Sequence, residues 1–147
     1  MKVKQATAYA LHAMMYMVRH VTQLPVTVDA IARAEHIPPR YLAKILPQLA
    51  RAGLVKTAGR KKGYLLARDP QEISLLELLE AVEGRSLFAD CFMRHGDCPS
   101  AADCGIHAVW RESVAQVTEY LAGTNLAAAA WSHPEHRFEQ VDAPDGR

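Results

Sequence analysis

The chain reads as mainly α with a small β-hairpin wing, a winged helix-turn-helix DNA-binding domain followed by a long helix. Three observations predict this. Two short amphipathic stretches, residues 28–34 and 39–52, are joined by the turn "EHIPP" and lead straight into a glycine-bracketed hairpin pattern. The tip of that hairpin, Arg60–Lys62, is basic. Charge is also split along the chain. Residues 1–68 hold twelve Lys/Arg and two Asp/Glu, a net of +10, while residues 69–147 hold five and fourteen, a net of −9. The overall +1 conceals this. A basic half calls for a polyanionic partner, and double-stranded DNA comes first.

The elements follow in order. Apolar side chains recur at helical spacing over 6–21 (Ala6, Tyr9, Ala10, Ala13, Met14, Met17, Val18, Val21), which predicts a largely buried helix. "TQLP" ends it, and Thr27 is placed to cap the next helix. Pro38 and Pro39 suit the first positions of the helix after that, with Tyr41, Leu42, Ile45, Leu46 and Leu49 on its apolar side. Pro47 inside it is expected to kink or shorten it, and Gly53 to stop it. The hairpin pairs 54–56 with 64–67. Ser74 and Glu77 have the spacing of a capping box, opening a helix that Gly84 ends. "SLFAD" reads as extended. A long helix then runs from about Asp103 to Leu121, its stripe being Ile106, Val109, Trp110, Val114, Val117 and Leu121. The tail beyond about residue 130 has no periodicity. This divides the chain into a DNA-binding domain (1–84), a cysteine loop (85–104), a long helix (105–130), which the resemblance given below makes the dimerisation helix, and a flexible tail (131–147).

Composition narrows the classes. Half the residues are hydrophobic and 22% are charged, so a core can form without staples. The apolar run Ala6–Val18 is too short to span a bilayer and no small-residue cleavage site follows it, so the expectation is a cytoplasmic protein with no membrane partner. No nucleophile–base pair, phosphate loop or carboxylate pair stands out, which argues against an enzyme. In the winged-helix reading, Arg40, Tyr41 and Lys44 open the recognition helix, and Arg60, Lys61 and Lys62 form the wing tip. These six are the candidate DNA contacts, with Tyr41 equally suited to packing under its helix.

All three cysteines fall in one stretch, "CFMRHGDCPSAADCGIH", with spacing Cys-x6-Cys-x5-Cys-x2-His. An odd count forbids a closed set of disulfides. Thiolates are soft ligands for an iron–sulfur cluster or zinc, but the tight Cys-x2-Cys knuckles of structural zinc sites are absent. Spacing leaves a cluster, a zinc site and a thiol redox switch all open. His107 shares a helix face with Cys104 and is the first candidate to complete three thiolates.

Taken together, "YALHAM" (Tyr9–Met14), the stretch Val28–Val55, "GYLLARDPQEISLLELLEAVEG" (Gly63–Gly84), Cys91, Cys98, Cys104 and "HAVW" from His107 resemble the small winged-helix regulators of the IscR and NsrR type, the Rrf-two family. The likeness spans about residues 1–125. It implies a homodimeric transcription factor on a palindromic operator. It also implies an iron–sulfur cluster, 2Fe-2S before 4Fe-4S, held by Cys91, Cys98, Cys104 and one non-cysteine ligand, and a dimer interface on the helix after the loop. In IscR-like members a histidine at the position of His107 is the ligand, and in others a first-helix residue of the partner subunit serves, for which His12 is the second candidate here, followed by His95, another residue or water. Where the family's wing is richer in glycine, this chain has Lys61 and Lys62.

Overall fold

The computed structural model describes residues 3–84, 87–91, 93 and 102–132. The expectations for Cys98, His95 and the tail from 133 lie outside them. Six helices and one hairpin are present among the described residues: α1 (Gln5–Arg19), α2 (Val28–Glu35), α3 (Pro39–Arg51), β1 (Val55–Thr57), β2 (Tyr64–Leu66), α4 (Leu75–Glu83), α5 (Gly105–Gly123) and α6 (Leu126–Ser132). Among them no helix is long and apolar enough to cross a membrane.

α1 is the axle of the fold. It buries Ala10, Ala13, Met14, Met15, Met17 and Val18, and packs against α2, α3, α4, α6 and β2. Unbranched, polarizable methionines fill the irregular space where so many elements meet. α2 and α3 close over it with Ile31, Leu42, Ile45, Leu46 and Leu49. The Thr27 hydroxyl accepts from the Ala30 N–H at 3.2 Å, as the cap expectation required. His36 turns the chain between α2 and α3 at φ 56°, and the Ile37 N–H donates to the Ala32 carbonyl at 3.0 Å. Pro47 does not divide α3, which continues through it to Arg51. Gly53 stops that helix at φ 76°.

The wing is antiparallel, with Val55 opposite Leu66, Lys56 opposite Leu65 and Thr57 opposite Tyr64. Val26 adds one more rung, on the other side of β2. Its N–H donates to the Tyr64 carbonyl at 2.9 Å and its carbonyl accepts from the Tyr64 N–H at 2.8 Å. The segment entering the helix-turn-helix is therefore stitched to the wing.

Three expectations need correction. Ser74 does cap α4, accepting from the Glu77 N–H at 3.1 Å, but Glu77 does not close the box. Its carboxylate pairs with Arg68, whose guanidinium also donates to the Glu72 carbonyl at 2.7 Å. A charged partner on the strand exit outcompetes a neutral N–H. Residues 87–89 form a turn rather than an extended piece. The stretch 105–130 is not one helix either: α5 ends at Gly123, and Thr124 is extended. The Leu75 N–H then donates to the Thr124 carbonyl at 2.9 Å, and the Leu126 N–H to the Ile73 carbonyl at 2.8 Å. These bonds return the chain to the body, where α6 buries Leu126 and Ala130 against α1. Arg19 fastens it through the Ala130 carbonyl at 3.0 Å.

Candidate DNA interface and cysteine site

Pro39 sits at the start of α3, where a missing N–H costs nothing, so Arg40, Tyr41 and Lys44 occupy its exposed first turns. Tyr41 is 41% exposed. Its ring rests on Tyr9 of α1, centroids 5.5 Å apart and planes at 43°. The Arg40 guanidinium lies over the Tyr41 ring, 5.0 Å from its centroid. Tyr41 thus packs on Tyr9 while part of its ring stays exposed. Sequence reading missed Tyr9, which it placed only in an apolar stripe; nothing local in the sequence says which aromatic residue it meets.

Arg60, Lys61 and Lys62 are all exposed at the wing tip. The tip is closed by the Ala58 N–H to the Gly63 carbonyl at 2.9 Å and the Lys62 N–H to the Gly59 carbonyl at 3.2 Å. Lys61 takes φ 61°, a left-handed conformation that a side chain rarely adopts, so charge stands at a position glycine would fill more easily. The six candidate contacts therefore lie on two exposed features, the start of α3 and the turn of the wing.

On the cysteine side, Cys91 and Cys104 are half-buried free thiols. The Cys91 sulfur accepts from the Met93 N–H at 3.4 Å. Cys104 immediately precedes α5, and the Ala108 N–H donates to its carbonyl at 3.2 Å. Trp110 Nε1 donates to the Asp90 carbonyl at 2.9 Å, tying the residue before Cys91 to the first turns of α5. His107 lies between these anchors. Its Nδ1 is fully buried and has no hydrogen-bond partner among the described residues. A buried imidazole nitrogen left unpaired is costly unless something fills its lone pair or takes its proton. Among the described residues no three His, Cys, Asp or Glu side chains form a ready metal cage.

His12 is differently placed. Its Nδ1 is 3.2 Å from Glu35 Oε2, the two side chains being 14% and 10% exposed. This joins α1 to the end of α2 within the one chain. Another carboxylate that sequence reading passed over is Glu83, the last residue of α4, with a side chain 4% exposed. It accepts from the Lys4 N–H at 2.7 Å and from the Thr7 hydroxyl, and Lys4 Nζ lies 3.7 Å away. Burial pushes its pKa up, but the Thr7 hydroxyl and the N–H and charge of Lys4 outweigh that and hold it below the usual carboxylate value. Its partners are 76 and 79 residues away, so no local pattern could reveal it. At the other side of α4, Gln48 Nε2 donates to the carbonyls of Ala81 and Val82 at 3.0 and 3.3 Å. The segment just before the cysteine loop is thus bound to both α1 and the recognition helix.

The family profile described as "Rrf2: Iron-dependent Transcriptional regulator" matches residues 3–130. The chain belongs to the Rrf2 family. Among its relatives, protein aau3 of Rhizobium meliloti is 33% identical over 140 residues, covering 94% of this chain and 90% of that one. The solved structure of T. potens IscR aligns with a TM-score of 0.70 at 26% identity, covering 95% of this chain and 93% of that one. CymR, the global cysteine regulator of B. subtilis, shares the fold with a TM-score of 0.75 at 24% identity over 92% and 99% of the two chains. This Rrf2 chain is accordingly a winged-helix, DNA-binding transcriptional regulator, and its relatives are regulators rather than enzymes.

Proposed function

We propose that this regulator senses redox, nitric oxide or iron–sulfur status through a cluster ligated by Cys91, Cys98, Cys104 and His107, and that it acts as a homodimer on a two-fold symmetric operator. The observation that carries the reading is the buried Nδ1 of His107, which has no partner among the described residues, on the helix that begins just after Cys104. Three soft thiolates and an imidazole are the donor set of an iron–sulfur site, with 2Fe-2S preferred when histidine replaces a thiolate. The family's description as iron-dependent supports it. When bound, the cluster supplies a centre whose charge and integrity change on oxidation or nitrosylation. The chain's own residues do the rest. Trp110 holds the start of the loop on α5, Glu83 and Gln48 hold the end of α4 on α1 and α3, and α5 presents an outward apolar face to a second copy. Arg40, Tyr41 and Lys44 then address base edges and phosphates while Arg60, Lys61 and Lys62 address the backbone or minor groove. A loop that rearranges when the cluster is lost alters DNA affinity only if the two arrangements place these groups differently.

Anaerobic purification with visible spectroscopy and iron, sulfide and zinc analysis tests this. The expected result is a coloured protein with iron and sulfide in equal amounts. His107→Ala is expected to lose or destabilise the chromophore, and His12→Ala to keep it. A colourless protein carrying zinc, or redox-dependent DNA binding that follows the thiols without iron, would overturn the cluster and favour a zinc site or thiol switch. Loss of the chromophore in His12→Ala alone would move the fourth ligand to His12.

A further inference from the structure

We infer that Arg40 reads a guanine in each operator half-site, and that Tyr41 and Tyr9 are positioning residues that hold its guanidinium for that task. The inference rests on the DNA-reading role proposed for α3 and names what α3 recognises. Arg40 is the second residue of the recognition helix, where side chains meet base edges in the major groove. An arginine there presents a planar fork that matches the O6 and N7 of guanine, whereas Lys44 one turn later offers only a point charge. Arginine is a costly reader when its long side chain must be frozen on binding. Here the guanidinium already sits over the Tyr41 ring, 5.0 Å from its centroid, with Nη2 3.5 Å from the Tyr41 hydroxyl. Tyr41 in turn rests on Tyr9, which is half-buried and packed against the hydrophobic core. The stack runs from the core of α1 to the tip of α3, so the fork's position is inherited from the rigid body. No acidic residue stands in the first turn of α3, and among the described residues no carboxylate pairs with Arg40. The cation is held by a ring face and by one long contact from Nη2 to the Tyr41 hydroxyl, which leaves its other edge donors for a base.

Selection of binding sites from a pool of random-sequence DNA duplexes, using the anaerobically purified full chain, tests this. The wild type is expected to enrich a two-fold symmetric motif with guanine at one matched position in each half. Arg40→Lys keeps the charge and is expected to lose guanine discrimination at that position by roughly ten- to a hundredfold, with little change elsewhere in the motif. Arg40→Ala is expected to lose it as well, and to weaken binding further. Tyr9→Ala is expected to blunt the guanine preference although Arg40 remains, and Tyr9→Phe to restore it because the ring suffices. Arg40 is exposed, so its variants carry no folding burden. An unchanged motif in Arg40→Lys and Arg40→Ala would overturn the inference and leave the regulator reading standing. A wild-type chain that enriches no motif at all would overturn both.

Discussion

Gly63 shows how much one side chain decides. Its φ is 93°, and a Cβ built there would lie 2.0 Å from the Val26 carbonyl oxygen and 2.7 Å from the Thr27 nitrogen. Both obstacles are backbone, and the Val26 carbonyl is part of the rung that joins the wing to the start of α2. No rotamer change relieves them. Gly63→Ala must therefore break the Val26–Tyr64 pairing, adding overpacking to left-handed strain, a cost of about 3 kcal/mol. The expected outcome is a clear drop in the chemical-denaturation midpoint, together with weakened DNA binding because the wing tip loses its footing. Gly59→Ala is the contrast. Gly59 has φ 107° but nothing within 4 Å of its Cβ position, so the strain is local and the rung survives. Equal losses in the two variants would show that the rung does not matter.

At the scale of elements, Glu83 matters most because it ties the start of α1 to the end of α4 immediately before the cysteine loop. Its folded pKa lies below its ordinary value, so the stability it contributes is present above the unfolded pKa and is lost as pH falls through the folded one. Glu83→Gln keeps an acceptor oxygen but removes the charge that Lys4 and Thr7 address. It is expected to cost about 1–2 kcal/mol at neutral pH and nothing in acid, where the wild type has lost the same interaction. Denaturation midpoints measured across the acid range check this: the two curves converge as pH falls, and parallel curves would refute it. The sequence foretold elements whose signals are local, such as the Thr27 and Ser74 caps, the Gly53 stop and the glycine-bracketed hairpin. It failed where a distant partner decides. Glu77 left its capping box for Arg68, nine residues earlier in the chain, and α6 exists as a separate helix because Ile73 and Leu75 capture the chain at Thr124–Leu126. The candidate site divides likewise. Spacing placed His107 beside Cys104, but only packing reveals that His107 Nδ1 is buried with no partner among the described residues and that His12 is engaged with Glu35.

For the whole molecule, the informative surface is α5. The six residues read as a single stripe fall on two faces. Val114 is buried and Trp110 and Leu121 are half-buried, whereas Ile106, Val109 and Val117 are 52, 65 and 37% exposed, joined by Tyr120 at 69%. Ile106, Val109, Val117 and Tyr120 recur at helical spacing on one outward face of about four turns, with Ser113 between the two pairs. Isolated exposed apolar side chains need no explanation, but four of them on one helix face do. A second copy related by two-fold symmetry fits it, because each helix then offers the same apolar line to the other. Such pairing would also set two basic wings and two recognition helices on one duplex, turning two weak contacts into one strong one. Val109→Glu tests the arrangement. The side chain is mostly in solvent within one protomer, so the fold is expected to keep its circular dichroism and melting cooperativity. Light scattering is expected to show a monomer, and affinity for a duplex carrying both half-sites to fall by roughly a hundredfold or more. A Val109→Glu protein that stays dimeric and binds DNA as before would place the interface on some other surface, since a carboxylate at the centre of a closed apolar seam would be buried without a partner.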